Sequence, residues 1–263
     1  MVGNAGRLAG KVAIITGAST GCGPVMASLF VKEGARVLLA ARREDLVLDA
    51  ARAAGDGAMG MRADVTQEND VREMVGRCME AFGQVDILLN NAAGPGQDRW
   101  IWEQTLDNWN ATLAIDLTAA MLCTREVLNR SMLERKTGSI VNFSSTAGYS
   151  GMLRKTHYVA AKAALRAFTQ GVANETGPHG IRCNCLVPGG IETELWVNWA
   201  RRLSAEEGIP FEVFREREAA RSALRTISRP EDIANLALFL AGDESRTITG
   251  QSIIIDAGVV MQA

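Results

Sequence analysis

Histidine is scarce in this sequence: only His157 and His179 occur among 263 residues. A metal site built on histidine, or a hydrolase that pairs a serine with a histidine base, would have very few residues to draw on. The five cysteines are scattered, and none belongs to a Cys-x-x-Cys pair. Cys183 and Cys185 would face the same side of a strand, but no histidine or third cysteine is placed to join them. We therefore interpret this pair as core packing and expect no metal.

Long apolar runs and clusters of like charge are also absent from the sequence. No run is long enough to cross a bilayer, and no signal-peptide pattern precedes the first predicted strand. The 28 basic and 30 acidic residues are spread along the chain, which gives a formal net charge of −2 and no polybasic patch for nucleic acid. Together with the dispersed cysteines, this pattern suits a cytoplasmic protein without nucleic-acid or membrane partners.

What the sequence does contain is a regular alternation of short β-branched runs and longer helical patterns. Apolar residues make up 47% of the chain, which is ample for a core. The alternation predicts an α/β fold with right-handed parallel crossovers, and thus a doubly wound sheet with helices on both faces. The seven predicted strands are 12–16, 36–40, 58–62, 85–90, 139–143, 182–187 and 252–256. The predicted helices are 24–33, 44–54, 67–82, 105–132, 156–176 and 230–241.

The domain organisation follows from the lack of any linker, repeat or low-complexity tract. We expect a single domain over residues 1–263, with one long insertion at about 192–229 between the sixth strand and the last helix. Within this insertion, aromatic residues stand among many charges: Trp196, Trp199, Phe211 and Phe214.

A glycine-rich turn follows the first predicted strand and reads Thr16-Gly17-Ala18-Ser19-Thr20-Gly21-Cys22-Gly23. Glycines at this point let backbone N–H groups and a helix N-terminus approach a pyrophosphate without Cβ collisions. The spacing is TGxxxGxG rather than GxGxxG. A tight strand–helix turn with incidental glycines is the alternative, but the position is the one that a dinucleotide-binding fold uses.

Several motifs in one order now suggest a family. The glycine turn, Asn90-Asn91-Ala92, Ser145, Tyr158 with Lys162, and Pro188-Gly189 together resemble a classical short-chain dehydrogenase/reductase, and the likeness extends to Asp256-Ala257-Gly258. The resemblance implies a Rossmann-type, seven-stranded, mostly parallel sheet, bound NAD(H) or NADP(H), a Ser–Tyr–Lys active site and a homotetramer. It implies cofactor contacts at Gly17, Ser19, Thr20, Gly21, Cys22, Gly23, Asp64, Val65, Asn91, Ala92, Tyr158, Lys162, Pro188, Gly189, Ile191 and Thr193.

The chemistry of Tyr158 and Lys162 can be argued from the residues themselves. They are four residues apart, so both lie on one face of the predicted 156–176 helix. A nearby ammonium favours the phenolate form of a tyrosine, and an oxidised nicotinamide adds more positive charge. Ser145 would hydrogen-bond the substrate oxygen, and its choice over Ser144 rests on the family spacing. An ordinary helix-surface pair is the alternative, but the chain has only two tyrosines.

Two residues depart from the family pattern. Asp116 occupies the position where the family has an asparagine that helps hold a water against the lysine, and Ala93 stands where the family has glycine. Both features resemble the dienoyl-CoA reductase branch, which generally lacks the intact Tyr-x-x-x-Lys. We favour an alcohol/ketone oxidoreductase that tolerates Asp116. Reduction of a conjugated enoyl or dienoyl thioester, with Asp116 as a catalytic residue, and a cofactor-binding protein without turnover remain as alternatives.

The end of the second strand bears on the choice of cofactor. NAD-specific members place an acidic residue there, whereas this chain has Ala41-Arg42-Arg43. Arg42 would meet a 2′-phosphate as a bidentate donor, although Thr20 stands where NADP-preferring members often have a second basic residue. The sequence therefore favours NADP(H) and leaves NAD(H) as the alternative.

Five tryptophans occur in two segments that follow predicted strands. Both segments leave the carboxyl edge of the sheet, where ligands of doubly wound folds bind. We therefore expect an aromatic-lined pocket and an apolar or cyclic alcohol or ketone as substrate. Packing between subunits is the alternative for some of these residues, which are Trp100, Trp102, Trp109, Trp196 and Trp199.

Overall fold

In the computed structural model, which describes residues 6–261, one seven-stranded sheet has the order β3-β2-β1-β4-β5-β6-β7. All six neighbouring pairs are parallel. The predicted Rossmann-type, doubly wound α/β fold is thus confirmed. The strands are β1 (Val12–Thr16), β2 (Arg36–Ala41), β3 (Ala58–Arg62), β4 (Ile87–Asn90), β5 (Gly138–Phe143), β6 (Ile181–Pro188) and β7 (Ser252–Ile255).

The helices cover both faces of this sheet. Their bounds are α1 (Cys22–Lys32), α2 (Glu44–Ala54), α3 (Glu68–Phe82), α4 (Leu106–Leu113), α5 (Ala119–Val127), α6 (Leu133–Arg135), α7 (Ala147–Ser150), α8 (Thr156–Thr176), α9 (Glu194–Glu207), α10 (Phe211–Ala219) and α11 (Pro230–Ala241). The sequence predicted one helix over 105–132. In the structure, π-helical turns at Ala114–Thr118 and Leu128–Met132 join α4, α5 and α6 into one helical run.

The central strand β1 explains why the apolar runs lack strict alternation. All five of its residues are buried. Ala13 and Ile15 pack into a core with α1 and α11, whereas Val12 and Ile14 pack into a second core with α3, α5 and α8. A parallel sheet that is covered on both faces requires apolar side chains on both sides of each strand.

The strand order also creates the site. β1 pairs with β2 on one side and with β4 on the other, so the chain winds outward from β1 through β2 to β3 and then returns to the opposite side of β1 at β4. In doubly wound sheets, the crevice at such a switch point lies outside the carboxyl ends of the strands and binds ligands. The glycine turn after β1 and the loop after β4 both begin there.

The insertion at 192–229 contains two helices that the sequence analysis did not predict, α9 and α10. Thr193 begins α9 by accepting a hydrogen bond from the Trp196 N–H at 3.4 Å. The insertion also has an apolar centre of its own, where the Trp199 ring meets the buried Phe214 edge-on at 5.7 Å. Within residues 6–261, no helix is long and apolar enough to span a bilayer.

Candidate active site

The glycine turn packs so closely that side chains are excluded at two of its positions. A Cβ on Gly17 would lie 2.6 Å from the Ala92 Cα, and one on Gly23 would lie 2.5 Å from the Ala18 Cα. Gly17 and Gly21 also have φ values of 65° and 66°, a region that L-residues rarely adopt. The turn opens directly into α1 at Cys22, so the first N–H groups of this helix face the turn.

Asn91 fixes the position of this turn. Its side-chain Nδ2 donates to the Thr16 carbonyl at 2.9 Å and to the Gly17 carbonyl at 3.2 Å. The Thr16 hydroxyl in turn accepts from the backbone N–H groups of Asn91 and Ala92, each at 3.1 Å. The predicted cofactor residues after β1 and after β4 therefore meet in one hydrogen-bonded unit. Thr16 also belongs to this unit, although no role was predicted for it from the sequence.

Arg43, rather than Arg42, reaches the glycine turn. Its Nη2 donates to the Thr20 hydroxyl at 2.9 Å and to the Ser19 hydroxyl at 3.3 Å. Arg42 is exposed to solvent, and Ala41 is buried at the end of β2. The cationic group beside the turn is thus the residue next to the one that the sequence analysis selected.

The other predicted cofactor residues lie at the same edge of the sheet. Thr193 approaches the glycine turn, because its methyl group would lie 3.7 Å from a Cβ on Gly21. Gly189 follows β6 and leaves no room for a Cβ, which would lie 2.6 Å from the Asp256 Cβ. Asp64 follows β3, and its Oδ1 accepts hydrogen bonds from the Thr66 backbone and hydroxyl. The remaining residues of this group are Val65, Pro188 and Ile191.

Lys162 is the centre of a buried polar group on α8. Its Nζ donates to the Phe143 carbonyl at 2.9 Å and lies 2.9 Å from Asp116 Oδ1. The same Nζ lies 5.5 Å from the centroid of the Tyr158 ring. Lys162 and Asp116 are buried, while Tyr158 is partly exposed. The structure thus brings together three of the four residues that the sequence analysis named for catalysis.

The ionisation of this pair is set by burial and by the mutual attraction of its members. Burial lowers the pKa of Lys162, but the adjacent Asp116 carboxylate opposes this effect and the pKa is raised overall. Burial raises the pKa of Asp116, and the Lys162 ammonium offsets only part of that rise. Asp116 lies on the π-helical turn Ala114–Thr118, which directs its carboxylate to Lys162.

The two serines after β5 have different surroundings. The Ser144 hydroxyl is buried and donates to the Lys162 carbonyl at 2.8 Å. Ser145 is partly exposed, and its hydroxyl oxygen accepts from the Ala147 N–H at 3.2 Å. A hydroxyl that accepts from a backbone N–H keeps its own proton for a further partner.

Behind Asp116 lies a small cavity of about 10 Å³, lined mostly by apolar side chains together with Asp116, Asn90 and Thr16. Asp116 Oδ2 and Asn90 Oδ1 are buried and have no hydrogen-bond partner among the described residues. A cavity of this size, with two acceptors, accommodates about one water molecule, which can donate to both. Asn90 itself is fixed by donating to Asn142 Oδ1 at 2.8 Å.

Four of the five tryptophans form two separate pairs. Trp100 and Trp102 stack in parallel at 5.2 Å between ring centroids, and Trp102 is largely exposed. Trp196 and Trp199 pack against each other at 6.2 Å within the insertion. The five cysteines are buried and unpaired. Among residues 6–261, no three His, Cys, Asp or Glu side chains are close enough to hold a metal ion.

Comparison with known proteins gives matches along almost the whole chain. A family model described as enoyl-(acyl carrier protein) reductase matches residues 17–260. The 2,5-dichloro-2,5-cyclohexadiene-1,4-diol dehydrogenase LinX of Sphingobium indicum is 35% identical over 257 residues, which are 97% of this chain and 98% of LinX. The 3-oxoacyl-[acyl-carrier-protein] reductase FabG of Thermotoga maritima is 34% identical over 259 residues, which are 97% of this chain and 100% of FabG.

A solved structure agrees with these relatives. The crystal structure of an actinorhodin polyketide ketoreductase variant with NADPH has a TM-score of 0.90 and 31% identity, over 97% of this chain and 98% of that chain. The fold, the family model and the relatives all agree with the motifs described above. This chain therefore belongs to the classical short-chain dehydrogenase/reductase family, whose members are oxidoreductases that bind a nicotinamide cofactor.

Proposed function

We propose that this protein interconverts an alcohol and a ketone, with Tyr158 as the general acid and base. The observation that carries the proposal is the placement of the Lys162 ammonium 5.5 Å from the ring centroid of a partly exposed Tyr158. A cation held there stabilises the phenolate that remains when the tyrosine gives its proton to a substrate oxygen.

The residues of the chain suit a nicotinamide dinucleotide. The glycine turn offers backbone without Cβ atoms, and α1 begins there with unpaired N–H groups that favour a pyrophosphate. When bound, the cofactor gives or takes the hydride. Lys162 and Tyr158 would hold the nicotinamide ribose, and Ile191 and Thr193 the carboxamide.

In the direction of ketone reduction, the chain supplies a proton and a hydrogen bond to the substrate oxygen. The Ser145 hydroxyl donates a hydrogen bond to the substrate oxygen and holds that oxygen beside Tyr158. Tyr158 then transfers its phenolic proton to that oxygen. Lys162 stabilises the phenolate, and Asp116 keeps Lys162 protonated. In alcohol oxidation, the same proton returns to Tyr158.

We propose NADP(H) as the preferred form of the cofactor. A 2′-phosphate beside the second strand would meet Arg43, which already donates to Ser19 and Thr20, and the exposed Arg42. Ala41 leaves that position without the carboxylate that would repel a phosphate. NAD(H) remains the alternative because Thr20 provides no second positive charge.

For the substrate, we propose an apolar or cyclic alcohol or ketone. The stacked Trp100 and Trp102 present an exposed aromatic surface in the segment that follows β4. LinX, by its name, acts on a cyclic diol, and the structural neighbour is a polyketide ketoreductase. Flat aromatic surfaces of this kind favour apolar ring systems.

Reduction of a conjugated C=C bond is the second candidate, because Asp116 is a buried acid in direct contact with Lys162. One panel separates the two functions. Ketones and the enoyl and dienoyl thioesters are offered with NADPH and with NADH, alcohols are offered with NADP⁺ and with NAD⁺, and the absorbance of the reduced cofactor is followed. We expect turnover of ketones or alcohols. Turnover of thioesters alone would refute the proposal and favour the second candidate.

A further inference from the structure

The residue that precedes Tyr158 is a fully buried histidine, His157. Both of its ring nitrogens have partners outside α8. Nδ1 lies 2.7 Å from Gln104 Nε2, and Nε2 lies 3.1 Å from the Pro95 carbonyl oxygen. Neither partner belongs to the chemistry proposed above. Both lie in the segment that follows β4.

The partners determine which nitrogen of His157 carries the proton. The Pro95 carbonyl can only accept, so Nε2 must be the donor. Gln104 Oε1 accepts from Asn108 Nδ2 at 2.7 Å and from the Thr105 N–H at 3.2 Å, which leaves the Gln104 amide nitrogen to face His157. Nδ1 therefore accepts, and the network is complete only with a neutral imidazole.

His157 thereby fixes the position of the segment 95–104, which we call the Trp loop because it carries Trp100 and Trp102. The backbone of this loop rests directly on the imidazole, since a Cβ on Gly96 would lie 2.6 Å from His157 Nε2. Gly96 also has a φ of 63°, so no other residue fits there without strain.

Further bonds tie the Trp loop to the segments on either side. The Gln97 N–H donates to Asn108 Oδ1 at 2.9 Å, on α4. The Arg99 N–H donates to the Arg154 carbonyl at 3.0 Å, just before α8. These bonds lie nearer the surface, and His157 is the fully buried anchor among them.

We propose that His157 is a positioning residue whose neutral imidazole holds the Trp loop against the helix of Tyr158 and thereby sets the affinity for the substrate. The kinetic part of this inference rests on the proposed function. The structural part, the anchoring of the Trp loop, does not depend on it.

Protonation should release this anchor. A charged imidazole would present a second N–H at Nδ1 to the amide N–H of Gln104, so two donors would face each other. The charged groups that face His157 are Lys155 just before α8, Asp98 in the Trp loop and Asp116 on the π-helical turn. Burial lowers the pKa of His157 below the usual range of histidine, and this favours the neutral imidazole. The anchor is therefore present near neutral pH and is lost as the pH falls through that lowered pKa.

The first test replaces His157 with Phe, which keeps a ring but removes both nitrogens. We expect the KM for the accepted ketone to rise about tenfold, while kcat changes less than about threefold and the cofactor Kd is unchanged. Hydrogen exchange of residues 95–104 should become faster in the absence of substrate. His179→Phe is the matched control, because the other histidine of the chain is exposed. An unchanged KM and unchanged exchange in a folded His157→Phe would overturn the inference.

The second test keeps the histidine and changes its partner. In Gln104→Glu, a carboxylate accepts from the protonated Nδ1, so protection of residues 95–104 should persist to lower pH than in the wild type. The comparison uses exchange between about pH 5 and 8, corrected for the intrinsic rate. An identical pH dependence in both proteins would overturn the inference, even if His157→Phe does not fold. If no ketone is turned over, only the proposed function fails, since the exchange measurements still decide on the anchor.

Discussion

The buried pair of Lys162 and Asp116 permits a prediction in which stability and activity change differently. Both side chains are at most 2% exposed, and their charged atoms lie 2.9 Å apart. Removing one charge from a buried pair costs about 3–5 kcal/mol of folding free energy. Asp116→Asn keeps a hydrogen-bonding oxygen, so we expect the lower end of this range. For a chain of this size, that loss lowers Tm by about 6 °C or more.

Activity should respond chiefly through the pH profile. Because Asp116 raises the pKa of Lys162, the wild type keeps the ammonium to a higher pH than Asp116→Asn does. The contribution of protonated Lys162 to folding stability is fully present below the pKa of the unfolded state, and it is lost as the pH rises through the raised pKa of the folded state. In Asp116→Asn, the basic limb of kcat should therefore move to lower pH, while kcat near neutrality stays the same or increases.

The assay is kcat against pH for one accepted substrate, together with a thermal melt of each protein. Asp243→Asn is the control, because its carboxylate is exposed and lies 3.7 Å from Lys11. A collapse of kcat across the whole pH range in folded Asp116→Asn would refute this reasoning. It would mean that Asp116 itself takes part in proton transfer.

Three further predictions concern the cofactor and the assembly. Arg43→Ala should lower kcat/KM for NADPH by about tenfold or more, with little effect on kcat/KM for NADH. Arg42→Ala should lower kcat/KM for NADPH by a smaller factor. A wild-type protein that prefers NADH would contradict both expectations. Lys162→Met should weaken cofactor binding as well as kcat, and fluorescence titration with NADPH that finds an unchanged Kd contradicts this. The mass from light scattering at micromolar concentration should be that of a homotetramer, and a monomeric mass rules the tetramer out.

Much of the fold could be predicted from local sequence patterns, and the errors in that prediction have local causes. The helix that carries Tyr158 has the predicted bounds, 156–176. β4 begins at Ile87 rather than Val85, because the Ser131 hydroxyl engages both the N–H and the carbonyl of Val85. The helix α10 was not predicted, since Phe214 is its only buried residue and a mostly charged helix has no apolar periodicity.

The site was predicted in its residues but not in its contacts. Motif spacing identified Tyr158 and Lys162, but the direct contact of Lys162 with Asp116 depends on a π-helical turn, which inserts an extra residue into the helix. Likewise, the choice between Arg42 and Arg43 depends on side-chain direction, which alternates along an extended backbone and shifts with one residue of register.

The central claim is that Tyr158 transfers the proton, and the most direct measurement is kcat of Tyr158→Phe with an accepted ketone. The variant keeps the ring beside Lys162 and loses only the phenolic hydroxyl. Tyr149→Phe makes the same change at the other tyrosine of the chain, which lies in the short helix α7. The account predicts a loss of about 10²-fold or more in kcat for Tyr158→Phe, an unchanged cofactor Kd, and near-wild-type kcat for Tyr149→Phe. Near-wild-type turnover by purified, folded Tyr158→Phe would contradict it.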